Sequence, residues 1–520
     1  MTTFGERLRR ARKRKGLSQM DVFDAIGLSN KSLSRYENGD TAPTPETLKR
    51  LIRLYDVSSE YILGLTSEMG HSADNASDGE NLIDMTDNRS SAEKLISFIS
   101  SSPSMFHAID NITRKLINEG FAPLNEWDDW DISLGGKYFV TRNGSSVIAF
   151  KVGEGEPAGF NIYAAHSDSP TFKLKPDAEM ETLGKYIRLN TERYGGMIMP
   201  SWLDRPLGIA GRVAVSIGGQ LKTVLVNLNE TTAIIPNVAI HMNRSINDGM
   251  AYNAQVDTIP LFGSNAAKGT LLTKIAAAAG VKEKDIVGTD LYLYNRTEGT
   301  IWGEGSEFVS CPKLDDLQCA YTGLQGILNG GNRDTVSVYC VFDNEEVGSD
   351  TKQGANSDFL LTVIERIADG LGKSRVQMMP RSFMVSADNA HAVHPNHPEY
   401  ADPVNMPTMN GGIVIKRNAA QRYATDAVSE GIFRKICASV AVPVQSYVNR
   451  SNIAGGGTLG NISATRVSIN TVDIGLAQLA MHSSYETAGT MDTLYLERAA
   501  AEFYRTKIVR TSDGGYELGV

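Results

Sequence analysis

An α/β fold is predicted for most of this chain, with a β-rich piece inserted into it and a small all-α segment ahead of it. Three observations predict it. From residue 92 onward strand-like and helix-like stretches alternate, the pattern of an α/β core. Within that part, 212–217 and 220–226 are extended runs on either side of Gly218-Gly219, a two-residue hairpin turn. Residues 1–66 show helical apolar spacing only. Composition agrees: 520 residues that are 41% hydrophobic and 21% charged are ordinary globular usage, with length for about three domains.

At the start of the chain, Leu8, Ala11 and Leu17 open a helical apolar pattern, and Gly16 closes the first helix. Ser18 is placed to cap a second helix carrying Met20, Val22, Phe23 and Ile26. Gly27-Leu28-Ser29 turns the chain, and Ser29 caps a third helix over 30–37 that Asn38-Gly39 ends. Thr44-Pro45-Glu46 opens a fourth, with Leu48, Leu51, Ile52 and Leu54 on one face. Helix, short Gly-containing turn and helix is the helix-turn-helix layout. Residues 67–91, rich in Ser, Asp, Asn and Gly and without an apolar period, are expected to be a flexible tether. Helices are then expected over 92–99, 106–118, 268–279 and 361–371. Strands are expected over 138–140, 146–151, 160–165, 336–342, 383–386 and 467–479.

Charge and cysteine content narrow the function. No apolar run has the length of a membrane span, and residues 1–15 lack the apolar centre of a secretory signal, so a cytoplasmic chain without membrane contact is expected. Cys311, Cys319, Cys340 and Cys437 are too few for a disulfide framework and are expected to be reduced thiols. The chain carries a net charge of -9, yet residues 1–70 are net positive and 7–15 are dominated by Arg and Lys. That asymmetry points to two segments with different tasks.

The chemistry shows as a repeated local event. Four apolar strand-like runs give way at once to acidic or His residues: 160–165 to His166 and Asp168, 336–342 to Glu345 and Glu346, 383–386 to Asp388 and His391, and 467–479 to His482. Ligands of open α/β sheets gather at the carboxyl ends of the strands, so these groups are expected to share one cleft. Any one of them alone reads as a solvated carboxylate or a structural His; the coincidence of four points to a metal. His and carboxylate donors without Cys suit zinc, manganese or cobalt. They exceed what one tetrahedral ion needs and fit a two-metal site with a shared carboxylate. Glu345-Glu346 offers one carboxylate to the metal and one as general base. Gly455-Gly456-Gly457-Thr458 lacks the Lys of a phosphate loop and reads as backbone that approaches a substrate.

Two resemblances extend this reading. The stretch LRRARKRKGLSQMDVFDAIGLSNKSLSRYENGDTAPTPETLKRLIRLYDVSSEYILG resembles the Cro/repressor-type helix-turn-helix domain. The resemblance implies DNA as a partner, with Gln19, Asn30, Lys31, Ser32 and Arg35 facing the major groove. The bland alternative is a solvated basic helix on a protein-binding module. The motifs AAHSDSP, SWLDRPLGIAGRV, IPNVAIHMNR, EFVSCPKLDDLQCAYTGL, VFDNEEVGSDTKQGA, VSADNAHAVHPNHPE, IVIKRNAAQRYAT, GGGTLGNI and AMHSSYE, in that order over about residues 92–505, resemble the aspartyl aminopeptidase family of dinuclear zinc metallopeptidases.

The second resemblance implies a three-layer metallopeptidase domain over 92–171 and 299–520, and an inserted β-rich oligomerisation domain over 172–298. It adds Asp315 as a bridging ligand. His166, Asp315 and Asp388 would hold one ion, and Asp315, Glu346 and His482 the other, most readily zinc, with cobalt or manganese as alternatives. Glu345 matches the general base and Asp168 the carboxylate that supports His166. His391, Lys416 and Tyr423 match substrate-pocket positions, and His241 a residue that reaches a neighbouring subunit's site. Lys416 would pair with an acidic N-terminal residue of a peptide substrate. A homo-oligomer, as large as a dodecamer, is implied. Lys313, Asp316, Gly457 and Tyr485 depart from the family's usual residues, at positions not expected to be ligands. The favoured reading is a metal-dependent aminopeptidase for acidic N-termini with an attached DNA-binding module. The alternatives are a transcription regulator whose peptidase-like part senses a peptide or metal, and a hydrolase of some other amide.

Overall fold

The structure, a computed structural model, describes residues 3–55, 57, 61–62, 85–453 and 455–519. The chain divides into two compact units, Met1–Leu82 and Ile83–Val520.

In the first unit, helices run over Phe4–Arg14, Gln19–Ile26, Asn30–Asn38 and Pro45–Tyr55. Thr3 with Glu6 and Ser18 with Asp21 form reciprocal capping boxes, so the first two helices start where their free N–H groups find oxygen acceptors. Gly27 and Gly39 close the second and third helices at φ 67 and 81, a conformation that costs glycine nothing. Leu8, Ala11, Val22, Leu33, Leu51 and Tyr55 form the core. Beneath it, Arg12 donates from Nε and Nη2 to the Glu37 carboxylate at 2.6 and 2.9 Å, a buried bidentate pair.

The second unit is built on a nine-stranded sheet. Its order is Ala122–Leu124, Lys137–Arg142, Ser146–Val152, Val336–Phe342, Phe160–His166, Phe383–Ala387, Asn470–Gly475, Ile413–Arg417, Val444–Val448. The four central strands, from Val336–Phe342 to Asn470–Gly475, run parallel. Parallel strands must be covered on both faces, and the sequence supplies this by making Val336–Phe342 and Phe160–His166 buried at every position. One face packs Tyr163, Tyr339 and Val341 against helices Met105–Asn118, Leu314–Asn329, Ala427–Ser439 and Thr490–Arg505. The other packs Ile162, Val338 and Cys340 against Phe359–Gly370 and Leu459–Val467. The result is a three-layer α/β sandwich, as expected.

Between Phe160–His166 and Val336–Phe342 the chain leaves for a six-stranded sheet ordered Gln220–Asn227, Leu207–Ile217, Ile286–Asn295, Thr171–Thr182, Tyr186–Tyr194, Leu261–Ser264. All of its pairings are antiparallel. The hairpin falls where the glycines put it, with Ile217 paired to Gln220. A five-stranded sheet, Thr300–Trp302, Phe308–Cys311, Glu486–Gly489, Ala477–Leu479 and Ala390–His391, frames the strand ends.

Two expectations need correction. The tether read over 67–91 reaches too far: Met85–Ser100 is one helix, in which Asn88, Ser91 and Ala92 are buried. Short polar residues obscured its start, because Asn88 and Ser91 face protein and hydrogen-bond Thr490 and Glu497. The rest of that stretch, 67–84, lies outside the described residues. The single strand read over 467–479 is the end of helix Leu459–Val467 followed by strands Asn470–Gly475 and Ala477–Leu479. A continuous apolar run does not by itself distinguish a buried strand from a buried helix end. All four cysteines are free and buried.

Candidate metal centre

The parallel register sets the site. Phe342 pairs with His166 and Ala387 with Ile474, so neighbouring strands end at nearly the same level. The residues just past each strand are therefore delivered to one edge of the sheet. His166 is the last residue of its strand, Glu345 and Glu346 occupy a single 3₁₀ turn after Phe342, and Asp388 comes directly after Ala387. His482 arrives on the turn between Ala477–Leu479 and Glu486–Gly489, in the left-handed region at φ 67. Asp315 comes from a different layer, at the start of helix Leu314–Asn329.

These groups converge. His166, Asp315, Asp316 and Asp388 form one cluster whose potential ligand atoms lie within 4.8 Å of one another, and Asp315, Glu346 and His482 form a second by the same measure. Asp315 belongs to both. Its Oδ1 is 3.5 Å from His166 Nε2, and its Oδ2 is 3.4 Å from His482 Nε2. His482 Nε2 is also 3.3 Å from Glu346 Oε2. Asp316, a position not expected to be a ligand, sits inside the first cluster, with Oδ2 accepting the His166 N–H at 3.1 Å.

Asp168 supports this arrangement. His166 Nδ1 lies 3.2 Å from its carbonyl oxygen and 3.3 Å from its Oδ1. With Nδ1 so engaged, Nε2 faces Asp315. The same carboxylate accepts the N–H groups of Glu345 and Glu346 at 3.1 and 3.2 Å.

Burial decides the electrostatics. It pushes the Glu345 carboxyl up to about 8, and the charges of Asp388, Asp168 and Asp315 add to the shift. Glu346 and Asp388 move the same way, through burial first and then the neighbouring Asp315 for Glu346. Asp315 moves down: burial opposes its charge, but His166 and His482 outweigh it. So many carboxylates in low dielectric require positive charge. Asp315 Oδ1 and Glu346 Oε1 are buried without a hydrogen-bond partner among the described residues. Unpartnered carboxylate oxygens beside imidazole nitrogens, with no cysteine in either cluster among the described residues, are the donor set of a divalent metal such as zinc, cobalt or manganese.

The remaining expected residues are distributed around this centre. Lys416 is buried beside Asp388, with Nζ 3.6 Å from Oδ1, and it donates to the Asn389 carbonyl at 3.0 Å. Burial disfavours its charge, but Asp388, Tyr423 and Asp473 outweigh burial and keep it an ammonium. Its Nζ stands 5.5 Å from the centre of the Tyr423 ring. His391 is exposed at the end of a short strand, 6.0 Å from the Tyr447 ring. His241 is exposed on a loop of the inserted region, and no hydrogen bond or ion pair joins it to the cluster among the described residues.

In the small unit, Asn30, Lys31 and Arg35 are exposed on the third helix, and the Ser32 hydroxyl pairs with Ser29 at 2.9 Å. Gln19 is turned inward: its amide donates to Glu37 Oε2 at 3.2 Å, because the buried carboxylate has room for a donor besides Arg12.

Two supporting residues escaped the sequence reading. Glu486 is buried and accepts the N–H of Asp315 at 3.1 Å and that of His482 at 2.8 Å. Asp473 accepts from Thr458 Oγ1 at 2.7 Å and from the Ala424 N–H at 2.5 Å, tying the Gly-rich loop to the Tyr423 segment. Both lie inside apolar or motif stretches where pairing, not composition, gives them their role.

A His–carboxylate cluster at the carboxyl edge of a three-layer α/β sheet defines a metallopeptidase, and comparison with known proteins narrows the class. Residues 98–504 match the model of the aminopeptidase I zinc metalloprotease (M18) family, so the chain belongs to that family. Residues 8–62 match a helix-turn-helix family model. The chain is 47% identical over 424 residues to a protein of Clostridium acetobutylicum named "Probable M18 family aminopeptidase 2", spanning 79% of this chain and 98% of that one. Among solved structures it resembles Ape4 in the Ape4–Nbr1 complex, with a TM-score of 0.78, 34% identity and coverage of 81% and 86% of the two chains. It also resembles the S. cerevisiae mApe1 dodecamer, with a TM-score of 0.71, 28% identity and coverage of 79% and 96%. The chain is thus a zinc metalloprotease of the aminopeptidase class with a helix-turn-helix domain ahead of it.

Proposed function

We propose that this chain is a two-metal aminopeptidase that removes an acidic N-terminal residue from peptides, in the cytoplasm, as a homo-oligomer. The observation that carries the reading is Asp315, with one carboxylate oxygen toward His166 and the other toward His482. His166, Asp315 and Asp388 would hold one divalent ion, and Asp315, Glu346 and His482 the second. Ions bound there would supply Lewis acidity, lowering the pKa of water and polarising the scissile carbonyl. Glu345, fixed by its own N–H on Asp168, takes the proton of the attacking water and passes it to the leaving amine. Lys416 is the buried cation at the strand ends; with the charge of Asp388 committed to a metal, it is the group left to meet a substrate carboxylate. Tyr423 and His391 line the approach, and His241 serves a neighbouring subunit.

The assembly is proposed from the dodecameric S. cerevisiae relative, and sedimentation of a monomer would remove it. The exposed Asn30, Lys31 and Arg35, with Ser32 beside them, support DNA as the partner of the N-terminal unit. Several such units on one particle would bind with avidity even where each is weak. The test of the enzyme is Glu345→Gln in the full chain, supplied with zinc, cobalt or manganese and offered aspartyl and glutamyl peptides. Loss of turnover with metal content unchanged is expected. Retained turnover would remove Glu345 as the base, and turnover of neutral but not acidic N-termini would remove the proposed preference.

A further inference from the structure

The strand Tyr186–Tyr194 belongs to the inserted sheet, yet its end lies against the metal centre. The Tyr194 hydroxyl donates to Asp168 Oδ2 at 2.7 Å and accepts from Asn344 Nδ2 at 2.7 Å. Asn344 immediately precedes the Glu345–Glu346 turn and adopts φ 65, which Asn tolerates better than most residues. Its own Oδ1 is held by Thr351 and Gln353 at 2.9 and 2.8 Å. Asp168 in turn touches His166 and both backbone N–H groups of the Glu pair. One hydroxyl thus closes a network that reaches the His166 ring and the Glu345–Glu346 backbone.

The chain beyond Tyr194 stays close. A Cβ on Gly195, which sits at φ 78, would come within 3.1 Å of Glu346 Cβ, so that residue's backbone lies directly on the Glu346 side chain. The Ile198 N–H donates to the His482 carbonyl at 3.0 Å. The Tyr194 ring is 9% exposed and stands edge-on to Tyr292, with centroids 5.7 Å apart at 82°.

We propose that Tyr194 is a positioning residue for the reaction: its hydroxyl fixes Asp168 and Asn344, and through them the His166 ring and the turn that carries Glu345 and Glu346. The proposal rests on the two-metal reading for its effect on turnover, but not for its effect on the turn. Tyr194 touches no reacting atom. Its ring and its hydroxyl have separable tasks, since the ring packs on Tyr292 and the hydroxyl alone reaches Asp168.

The test compares Tyr194→Phe with Tyr194→Leu in the full-length chain. Phe keeps the ring and loses the hydroxyl. In Tyr194→Phe, amide hydrogen exchange over residues 343–349 should quicken about tenfold in metal-free protein, while exchange around Tyr292 stays as in the parent. In metal-loaded protein, kcat should fall by about 3- to 10-fold with KM nearly unchanged, and the ion held through His166 should pass to a chelator about 3- to 10-fold faster, less than the roughly 10- to 100-fold cost of removing a direct partner of a metal-ligating His, because Tyr194 acts on that partner and not on the ring. Tyr194→Leu should additionally quicken exchange around Tyr292. If Tyr194→Phe matches the parent in exchange over 343–349, the proposal is overturned whatever the activity. If exchange responds as expected but the parent hydrolyses no peptide, the proposed function fails and Tyr194 keeps only its hold on the turn; if exchange responds and the parent is active but kcat in Tyr194→Phe is unchanged, the positioning role is overturned.

Discussion

Glu486 offers the most direct handle on how the centre is held. Its two carboxylate oxygens accept one N–H each, from Asp315 at 3.1 Å and from His482 at 2.8 Å, and the residue is 2% exposed. Glu486→Ala leaves the buried N–H of Asp315 and the partly buried N–H of His482 without acceptors. A buried one costs about 1–3 kcal/mol and one that water can reach costs less, so the loss should be about 1–4 kcal/mol. Glu486→Gln keeps one acceptor and turns an NH₂ against the other N–H, so its cost should be that of one lost bond, about 1–3 kcal/mol. Because both N–H groups belong to residues proposed to share an ion, metal retention should weaken by about 10- to 100-fold in either variant. Denaturant unfolding at about pH 9 in the presence of chelator, where the Glu486 carboxyl is ionised, isolates the first effect, and competition with a chelating dye measures the second. A Glu486→Ala protein within about 1 kcal/mol of the parent, retaining metal equally well, would show that these two hydrogen bonds do not hold the centre.

The buried carboxyls also set a pH dependence. Burial pushes Glu345 and Glu486 up to about 8 and Asp343 up to about 7. Between the ordinary carboxyl range and those values the folded protein binds more protons than the unfolded one, so metal-free protein should gain stability as pH falls from about 8 to about 6. Thermal scans in chelator should show a rising midpoint over that interval, and added zinc should flatten the trend; a midpoint that falls with acidification contradicts the carboxylate account. In the N-terminal unit, Glu37→Ala strands the buried Arg12 guanidinium and should cost about 3–5 kcal/mol, enough to unfold a small domain. Hydrogen exchange over residues 3–55 of the full chain reads this, and unchanged protection would show that the ion pair is dispensable. If the third helix meets DNA, Lys31→Ala should lower the salt dependence of binding by about one counterion and weaken all sequences alike, whereas Arg35→Ala should relax base preference. Equal binding by both variants and the parent would remove that helix from the interface.

Much of the fold was legible because periodicity and punctuation agree with it. The wholly apolar runs at 160–165 and 336–342 are central parallel strands buried on both faces, and Gly218-Gly219 is a hairpin turn. The strand-end pattern singled out His166, Glu345, Glu346 and Asp388 because a parallel sheet brings the residues past each strand's carboxyl end to one edge; His482 comes instead from a turn of the five-stranded sheet, and His391, which the same pattern singled out, joins neither cluster. Asp315 was not legible in that way. It enters from a helix on one face of the sheet, and only family resemblance singled it out. Glu486, Asp473 and Tyr194 were invisible as functional residues for a related reason: each acts through hydrogen bonds to backbone or side chains distant in sequence. The helix that begins at Met85 was missed because its polar residues at 88 and 91 are buried partners of the final helix rather than solvated linker. Gln19 was assigned outward by its place in a motif, and the residual acceptor capacity of Glu37 drew it inward.

The proposed chemistry depends on a pair of divalent ions sharing Asp315. The deciding measurement is elemental analysis of the zinc-saturated, gel-filtered chain beside Asp315→Asn prepared identically. Two ions per chain in the parent, with both retained less well in the variant, is the predicted result. A parent that holds a single ion, or a variant that loses only one of two, would contradict it.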